Sequence, residues 1–256
     1  MSTITANRSN VVKIMGGLGN QLFGYVFSKH LERCGEVGLD IDFYNSPANH
    51  TDEIPEREFL LDKFTTDYKL ATPGRRSTVT EEIYDKTKGY GNGYFWGYWQ
   101  KGSYYKGLKL DLRLKDEYIT DEMRQAAEVL KSGETVSVHF RRTDYGQFDN
   151  WILDQSYYER AIKEMHLRLN DPVFFVFTDD IDWIKSQTNG KSINVIHGSE
   201  LEDFYLMSQC KHNIIANSSF SFWAAMLNNN LDKVVIYPKD WKVTENPVDF
   251  EGWTGV

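Results

Sequence analysis

The sequence predicts an α/β fold in which two domains each carry a parallel β-sheet facing a central cleft. Along the second half, short apolar segments alternate with polar segments of helical length. Strands that are apolar throughout are typical of a parallel sheet covered by helices on both faces. The first half opens with the same order of strand, loop and helix. The 256 residues exceed one average domain, and we expect domains at residues 1–133 and 134–256.

The first domain begins with a predicted strand at residues 11–15, a glycine loop at 16–20 and a helix that ends near Arg33. A second strand is predicted at residues 37–42. Residues 88–107 then combine glycines with many aromatic side chains. Such side chains suit a packed irregular segment as well as a surface that stacks on sugar rings. The aromatic residues are Tyr90, Tyr94, Phe95, Trp96, Tyr98, Trp99, Tyr104 and Tyr105.

The second domain is predicted as strands that alternate with helices. The strands cover residues 136–142, 173–177, 193–196, 213–216 and 234–237. The helices cover residues 155–169, 180–187, 199–209 and 220–227. Ser156 is the expected N-cap of the first of these helices, and Ser199 with Glu202 has the spacing of a capping box. In open α/β sheets ligands bind outside the carboxyl ends of the strands, so we look for the site there.

The composition excludes several classes of protein. A net charge of -8 argues against a general binder of nucleic-acid backbones, which needs a basic surface. The apolar runs are too short for a membrane helix, and the first ten residues lack the apolar segment of a signal peptide. Cys34 and Cys210 belong to no CxxC motif, so we expect two buried free thiols in a reducing compartment and a cytoplasmic protein.

Gly17 and Gly19 follow the first predicted strand and open its helix. Glycine there lets the backbone approach a phosphate, and the N-terminus of the helix favours an anion. Leu22 replaces the third glycine of a dinucleotide-binding fingerprint, whereas Asp40 and Asp42 lie near the spacing of its ribose-binding acid. The loop therefore indicates either a phosphate contact or only a tight turn between strand and helix.

Two adjacent arginines, Arg141 and Arg142, lie at the carboxyl end of a predicted buried strand. Charges there are costly unless they meet anions, and a guanidinium binds phosphate through two parallel hydrogen bonds. Strand alternation points Arg141 and His139 to one face and Arg142 to the other, although both arginines can reach one pocket at the strand end. The alternative is a structural ion pair with Asp144.

The next predicted strand also ends in polar residues, Thr178, Asp179 and Asp180. Asp180 and Asp182 form a D-x-D pattern, which suits a divalent cation and a nucleotide diphosphate. The alternative is a cluster that caps the following helix, which we prefer for Asp182. Asp179 or Asp180 would then accept hydrogen bonds from a base or a ribose.

Asn217, Ser218, Ser219 and Phe220 join the fourth predicted strand of this domain to a helix. Hydroxyl groups and first-turn amides at a helix N-terminus form a cup for a phosphate. The alternative is simple capping of the helix by serine. No G-x-S-x-G sequence surrounds Ser219, so a nucleophilic serine is not indicated.

Five segments spread over nearly the whole chain carry a specific set of motifs. Residues 15–23 read MGGLGNQLF, residues 57–64 read REFLLDKF and residues 97–100 read GYWQ. Residues 139–145 read HFRRTDY, and residues 206–225 read LMSQCKHNIIANSSFSFWAA. In this order they resemble glycosyltransferase family 11, the galactoside α-1,2-fucosyltransferases, in its bacterial form. Many members carry glutamine where Gly24 stands here.

The resemblance implies a GT-B-like fold of two Rossmann-like domains. It also implies GDP-β-L-fucose as donor, inversion at the anomeric carbon and no required metal or other cofactor. Arg141 and Arg142 would hold the diphosphate, while His139 and Asp144 would shape that pocket. The other donor-binding residues implied by the resemblance are Thr178, Asp179, Asp180, Asn217, Ser218, Ser219 and Phe220, with Gly17, Gly19 and Asn20 from the first domain.

The implied chemistry agrees with the residues. Arginines aimed at the negative charge that develops on leaving GDP can replace a metal, so the expected catalytic residues are Arg141, Arg142 and Asp144, the last as a candidate general base. The expected acceptor is a galactose-ended oligosaccharide or a lipid-linked precursor. We expect no nucleic-acid partner and no membrane-spanning segment, while peripheral membrane association, linkage and oligomeric state stay open.

Two other classes of function remain as alternatives. An NAD-dependent oxidoreductase would use Gly17, Gly19 and Asp40, but it has little use for the pair Arg141 and Arg142. A non-catalytic sugar-binding module would use the aromatic residues between 90 and 105, but it needs no nucleotide pocket.

Overall fold

The computed structural model describes residues 9–46, 56–87, 91–109, 111–148, 150–187, 193–242, 246–248 and 251–256. Tyr90 of the aromatic segment lies outside the described residues. The chain divides into two compact units, Met1–Arg113 and Leu114–Val256. The division comes earlier than the expected boundary at residue 133, because the helix Asp121–Ser132 packs against the helix Glu200–Gln209 of the second unit.

The first unit is built on a parallel sheet with the strand order β2-β1-β4-β3. Its strands are β1 (Asn10–Lys13), β2 (Val37–Asp40), β3 (Ser77–Val79) and β4 (Gly93–Phe95). Its helices are α1 (Leu18–Leu31), α2 (Asp42–Asn45), α3 (Glu81–Thr87) and α4 (Gly102–Tyr105). The sequence pattern did not predict β3 and β4, each of which has only three residues, too few to show a period.

Aromatic side chains form much of the core of the first unit. Phe27 of α1 stacks on Trp99 with ring centroids 3.8 Å apart, and Tyr84, Phe95 and Tyr104 contact Phe27 edge-on. The packed interpretation of the aromatic segment therefore holds for its buried members, Phe95, Trp99, Tyr104 and Tyr105. By contrast, Trp96 is 50% exposed and Tyr98 is 42% exposed.

The second unit is built on another parallel sheet, with the order β10-β9-β8-β5-β6-β7. Its strands are β5 (Thr135–Phe140), β6 (Val173–Thr178), β7 (Asn194–Ile196), β8 (His212–Ile214), β9 (Val235–Tyr237) and β10 (Thr254–Gly255). Its helices are α5 (Asp121–Ser132), α6 (Gln155–Arg168), α7 (Ile181–Gln187), α8 (Glu200–Gln209) and α9 (Ser219–Met226). The predicted elements are confirmed with shifts of one or two residues, and α5 and β10 are additional.

Helix α6 fixes the end of β5, where the arginines follow. Its buried residues Tyr157, Ala161 and Met165 pack with Val138 in one apolar cluster. The hydroxyl of Tyr158, which follows Tyr157 in the same helix, donates a hydrogen bond to the carbonyl of His139 at 3.1 Å. The backbone that leads into the arginine pair is therefore held by the core.

Four local expectations meet different outcomes. The capping box is confirmed, since Ser199 Oγ accepts from the Glu202 amide and the Glu202 carboxylate accepts from the Ser199 amide. The N-cap of α6 is Asp154 and not Ser156, because the helix begins one residue before that serine. Cys210 is buried as expected, but Cys34 is exposed because it ends a surface turn.

The apolar strand β6 is less buried than its sequence indicates. Val173 is exposed, and the next three residues are only partly buried. The sheet order explains this, because β6 is followed only by the three-residue edge strand β7. Separately, among the described residues no helix combines the length and the apolar character needed to cross a bilayer.

Candidate functional site

Arg141 lies at the centre of an ionic cluster directly after β5. Its guanidinium contacts Asp144 Oδ2 at 2.7 Å and Asp179 Oδ2 at 3.2 Å. Burial disfavours the charge, but the two carboxylates outweigh it and raise the pKa of Arg141 above its ordinary value. The structural ion pair with Asp144 is therefore present. Arg141 also forms a second ion pair with Asp179, which follows the end of β6.

Arg142 extends to a different set of partners, as strand alternation predicts. Its Nε donates to Asp180 Oδ2 at 3.3 Å, and its guanidinium lies 3.7 Å from the ring centroid of Trp183. The backbone amide of Arg142 donates to Asp179 Oδ1 at 2.9 Å. The two arginines thus leave the strand in different directions, and Asp179 links the cluster.

Asp179 ties the loop after β5 to the end of β6. Besides Arg141 and the Arg142 amide, it accepts a hydrogen bond from the hydroxyl of Thr143 at 2.7 Å. Burial raises the pKa of Asp179, but the charge of Arg141 and these hydrogen bonds outweigh burial and hold the pKa below its ordinary value. The carboxylate is therefore charged near neutral pH and already engaged by the protein.

His139 is a neutral buried imidazole beside this cluster. Burial lowers its pKa to about 4, with Arg141 adding to the shift and Asp179 opposing it. The side chain is 4% exposed, and its ring centroid lies 5.6 Å from that of Phe220. Its Nδ1 has no hydrogen-bond partner among the described residues. A buried polar atom without a partner costs free energy, so a bound ligand or a water molecule that pairs with His139 Nδ1 would recover that cost.

Thr178 and Asp180 organise the turn from β6 into α7. The Asp180 amide donates to Thr178 Oγ1, and Asp180 Oδ1 accepts from the amide of Trp183, both at 3.0 Å. The capping carboxylate is thus Asp180 and not Asp182, because α7 begins at Ile181. Within the described ranges, no group of three or more His, Cys, Asp or Glu side chains is arranged to hold a metal ion.

Asn217 connects the turn before α9 with the loop that carries the arginines. Its Nδ2 donates to the carbonyl of Trp151 at 2.9 Å, and its own carbonyl accepts from the hydroxyl of Tyr145 at 3.0 Å. Asn217 is buried, and its Oδ1 has no partner in the described part of the chain. Ser218 makes no side-chain capping bond, and Ser219 and Phe220 form the first turn of α9. Simple capping by the Ser218 hydroxyl is therefore wrong.

A cavity of about 300 Å³ opens beside Arg142 in the second unit. Its lining is mostly apolar and includes Trp183, Ile152 and Ile162, with Tyr158 and the two arginines at its polar side. Sequence reasoning named the arginines but missed Trp183, Ile152 and Tyr158. The only signal for Trp183 was its spacing of three residues from Asp180, which places both on one side of the first turn of a helix.

In the first unit, the predicted glycine loop is held by hydrogen bonds from distant segments. Gly16 has a φ of 81°, and Gly17 is the N-cap residue of α1, in which Gly19 lies buried. Asn20 Oδ1 accepts from Gln100 Nε2 at 2.8 Å. Gln21 Oε1 accepts from the amide of Leu60, also at 2.8 Å. Three of the sequence motifs thus meet at this loop.

The structure weakens the dinucleotide interpretation of this loop. Asp40 accepts hydrogen bonds from the hydroxyl of Tyr94 at 2.7 Å and from the Asp42 amide at 3.0 Å, so the proposed ribose acid is occupied within the fold. Leu22 is fully buried, and Gly24 instead provides the close approach of helix to strand, since a Cβ there would lie 2.7 Å from Ile14 Cδ1. Gly16 therefore serves the tight turn and Gly24 serves packing, while a phosphate contact at Gly17 and Gly19 stays a prediction.

The predicted residues fall into two groups. The second unit brings together His139, Arg141, Arg142, Asp144, Asp179 and Asp180 through direct contacts or neighbouring strand ends, and Thr178 and Asn217 through the loops that they anchor. The first unit carries Gly17, Gly19 and Asn20 at the carboxyl end of β1.

Comparisons with known proteins find relatives over most of the chain. The chain is 30% identical to an alpha-1,2-colitosyltransferase of Escherichia coli over 94% of this chain and 95% of that protein. It is 25% identical to the galactoside 2-alpha-L-fucosyltransferase Sec1 of Mus musculus, over 84% of this chain and 63% of that one.

Solved structures show the same fold. The fucosyltransferase NodZ from Bradyrhizobium has a TM-score of 0.55 at 15% identity, covering 87% of this chain and 94% of that one. NodZ alpha-1,6-fucosyltransferase soaked with GDP-fucose has a TM-score of 0.53 at 15% identity, covering 86% and 92%. With the two parallel sheets described above, these likenesses confirm the predicted GT-B-like fold class. The model of the family described as Glycosyl transferase family 11 matches residues 3–253, and the chain therefore belongs to glycosyltransferase family 11.

Proposed function

We propose that this glycosyltransferase moves L-fucose from GDP-β-L-fucose to a hydroxyl group of a galactose-ended acceptor, with inversion and without a metal ion. The observation that carries the proposal is the carboxyl end of β5 and of its neighbour β8. The partly buried Arg141 follows β5, and among the described residues the buried His139 Nδ1 and the Oδ1 of Asn217, which follows β8, have no hydrogen-bond partner. A charged donor with polar edges on its base and ribose would satisfy these groups.

Arg141 would act on the leaving group. When the bond between the anomeric carbon and the phosphate oxygen breaks, its electron pair stays on GDP, and a guanidinium within reach stabilises that charge more in the transition state than in the ground state. The diphosphate would compete with Asp144 and Asp179 for the guanidinium. Arg142 would approach from the side of the cavity lined by Trp183.

Asp144 is better placed to position Arg141 than to remove a proton. Its Oδ2 lies 2.7 Å from the guanidinium, so the carboxylate is already engaged in an ion pair with the residue that it would position. The acceptor hydroxyl would attack the anomeric carbon from the face opposite to GDP and lose its proton to water or to another polar group. Thr178, Asp179, Asp180 and the turn at residues 217–220 would complete the donor site.

A second candidate donor is favoured by one comparison. The relative that matches 94% of this chain is named as a colitosyltransferase, and a nucleotide-activated colitose would use the same diphosphate contacts. The acceptor would be a galactose-ended oligosaccharide or a lipid-linked precursor, and a cytoplasmic location stays a prediction.

The test is release of GDP from GDP-fucose, with and without lactose, in excess EDTA. Release that lactose stimulates and EDTA leaves unchanged supports the proposal. GDP binding without release directs the search to the colitosyl donor or another acceptor. Absence of GDP binding refutes the nucleotide-sugar site in the second unit.

A further inference from the structure

Two exposed aromatic side chains stand at the carboxyl end of β4 in the first unit. Trp96 and Tyr98 follow directly after that strand and are 50% and 42% exposed. Lys13, at the end of the neighbouring strand β1, places its ammonium group 4.6 Å from the ring centroid of Trp96. This is the sheet edge at which ligands bind in open α/β folds.

The backbone that carries these rings is held from several directions. The Trp96 amide donates to the carbonyl of Val79 at 3.0 Å. Glu81 Oε1 accepts from the amides of Tyr98 at 2.8 Å and Trp99 at 2.9 Å. Gly97 lies so close to Glu81 that a Cβ there would approach its side chain to 2.8 Å. The exposed rings are therefore presented by a fixed loop.

Trp99 completes this anchoring. It adopts a φ of 57°, which is uncommon for a bulky residue, while its ring is fully buried on Phe27. Such backbone conformations persist only where the surroundings over-determine them, and they cluster at functional sites. Residues 96–99 thus bury the side chain of Trp99 and expose the side chains of Trp96 and Tyr98.

We propose that Trp96 and Tyr98 form a platform on which the terminal galactose of the acceptor stacks. The Lys13 ammonium, which lies over the Trp96 ring, donates to a hydroxyl of the same sugar. This inference rests on the proposed function. Galactose suits the platform because its axial hydroxyl leaves the opposite ring face with several C–H bonds pointing the same way, and that face packs on an aromatic ring. A second copy of the chain fits less well, since a stable dimer buries about 800 Å² per partner, far more than two side chains supply.

The experiment compares Trp96→Leu and Tyr98→Leu with Trp96→Phe and Tyr98→Phe in the full chain. Lactose binding is followed by saturation-transfer NMR, and the KM values for lactose and for GDP-fucose are measured separately. We expect each leucine variant to raise the KM for lactose about tenfold and to weaken the NMR transfer to the sugar. GDP affinity and the KM for GDP-fucose should change less than about twofold, and the phenylalanine variants should keep most of the lactose affinity.

Failure of the platform and failure of the proposed function are distinguishable. If lactose binds to the wild-type protein and the leucine variants lose that binding while no fucose is transferred, the platform stands and the proposed reaction is wrong. If lactose is fucosylated with a KM that the leucine variants leave unchanged, the reaction stands and the platform is wrong. A wild-type protein that neither binds nor fucosylates lactose overturns the platform.

Discussion

Replacing Arg141 with alanine tests the centre of the candidate site. The substitution removes the cation that contacts Asp144 at 2.7 Å and Asp179 at 3.2 Å. It also removes the positive charge that would stabilise leaving GDP. Both the free energy of unfolding and turnover should therefore fall. Urea unfolding measures the first loss and GDP release measures the second.

The two magnitudes follow from burial and from the role of the charge. Removing one partner of a buried ion pair costs about 3–5 kcal/mol, and the Arg141 side chain is only 19% exposed. Removing one group that stabilises developing negative charge lowers kcat by about a hundredfold to a thousandfold. Arg141→Lys should recover part of both, because it keeps the charge but not the planar fork.

A surface pair provides the matched control. Arg168 contacts Glu164 at 2.6 Å on α6, with its side chain 37% exposed. Because exposed pairs contribute about 0–1 kcal/mol, Arg168→Ala should change neither turnover nor the denaturation midpoint appreciably. Similar losses in the Arg141 and Arg168 variants would refute the argument from burial.

The assay combines GDP release, GDP affinity and urea unfolding across pH. In the wild-type protein the lowered pKa of Asp179 contributes stability above its unfolded value, and that stability is lost as pH falls through the folded pKa. Without Arg141 the folded pKa of Asp179 rises, so less of this stability is available. Near-normal turnover and GDP affinity in Arg141→Ala would show that the guanidinium does not act on the donor.

Three further outcomes are expected. Burial lowers the pKa of His139 to about 4. The contribution of its neutral form to the free energy of unfolding should therefore be fully present above the unfolded pKa of about 6.5 and be lost as pH falls toward 4. His139→Gln should flatten this part of the plot of urea midpoint against pH. Gly24→Ala should cost about 1–3 kcal/mol in urea unfolding, since the added Cβ would lie 2.7 Å from Ile14 Cδ1, and adding Ile14→Val should recover part of the loss if the clash is the cause. Gln21→Leu should cost about 1–3 kcal/mol by leaving the buried Leu60 amide without its acceptor, and an unchanged unfolding midpoint would contradict this.

Much of the second unit was predictable because its signals are local. The alternation of apolar strands with helices, and the Ser199 capping box, depend on residues a few positions apart. The first unit was harder, because β3 and β4 have three residues each and are recognised only by the parallel neighbours that they pair with. The exposure of Cys34 likewise depended on where its surface turn lies.

The sequence by itself determined the parallel sheet of the second unit and the chemical groups at the carboxyl ends of its strands, since strand direction and residue order place Arg141 and Asp179 at one edge. Only the tertiary structure decided which partners those groups take. It gave Arg141 a second carboxylate at 3.2 Å, and it separated the exposed Trp96 from the buried Trp99 three positions away. The physical reason is the distance along the chain over which each interaction acts. Periodicity and capping act within a few residues, whereas ion pairs and burial depend on atoms that distant segments bring within a few ångströms.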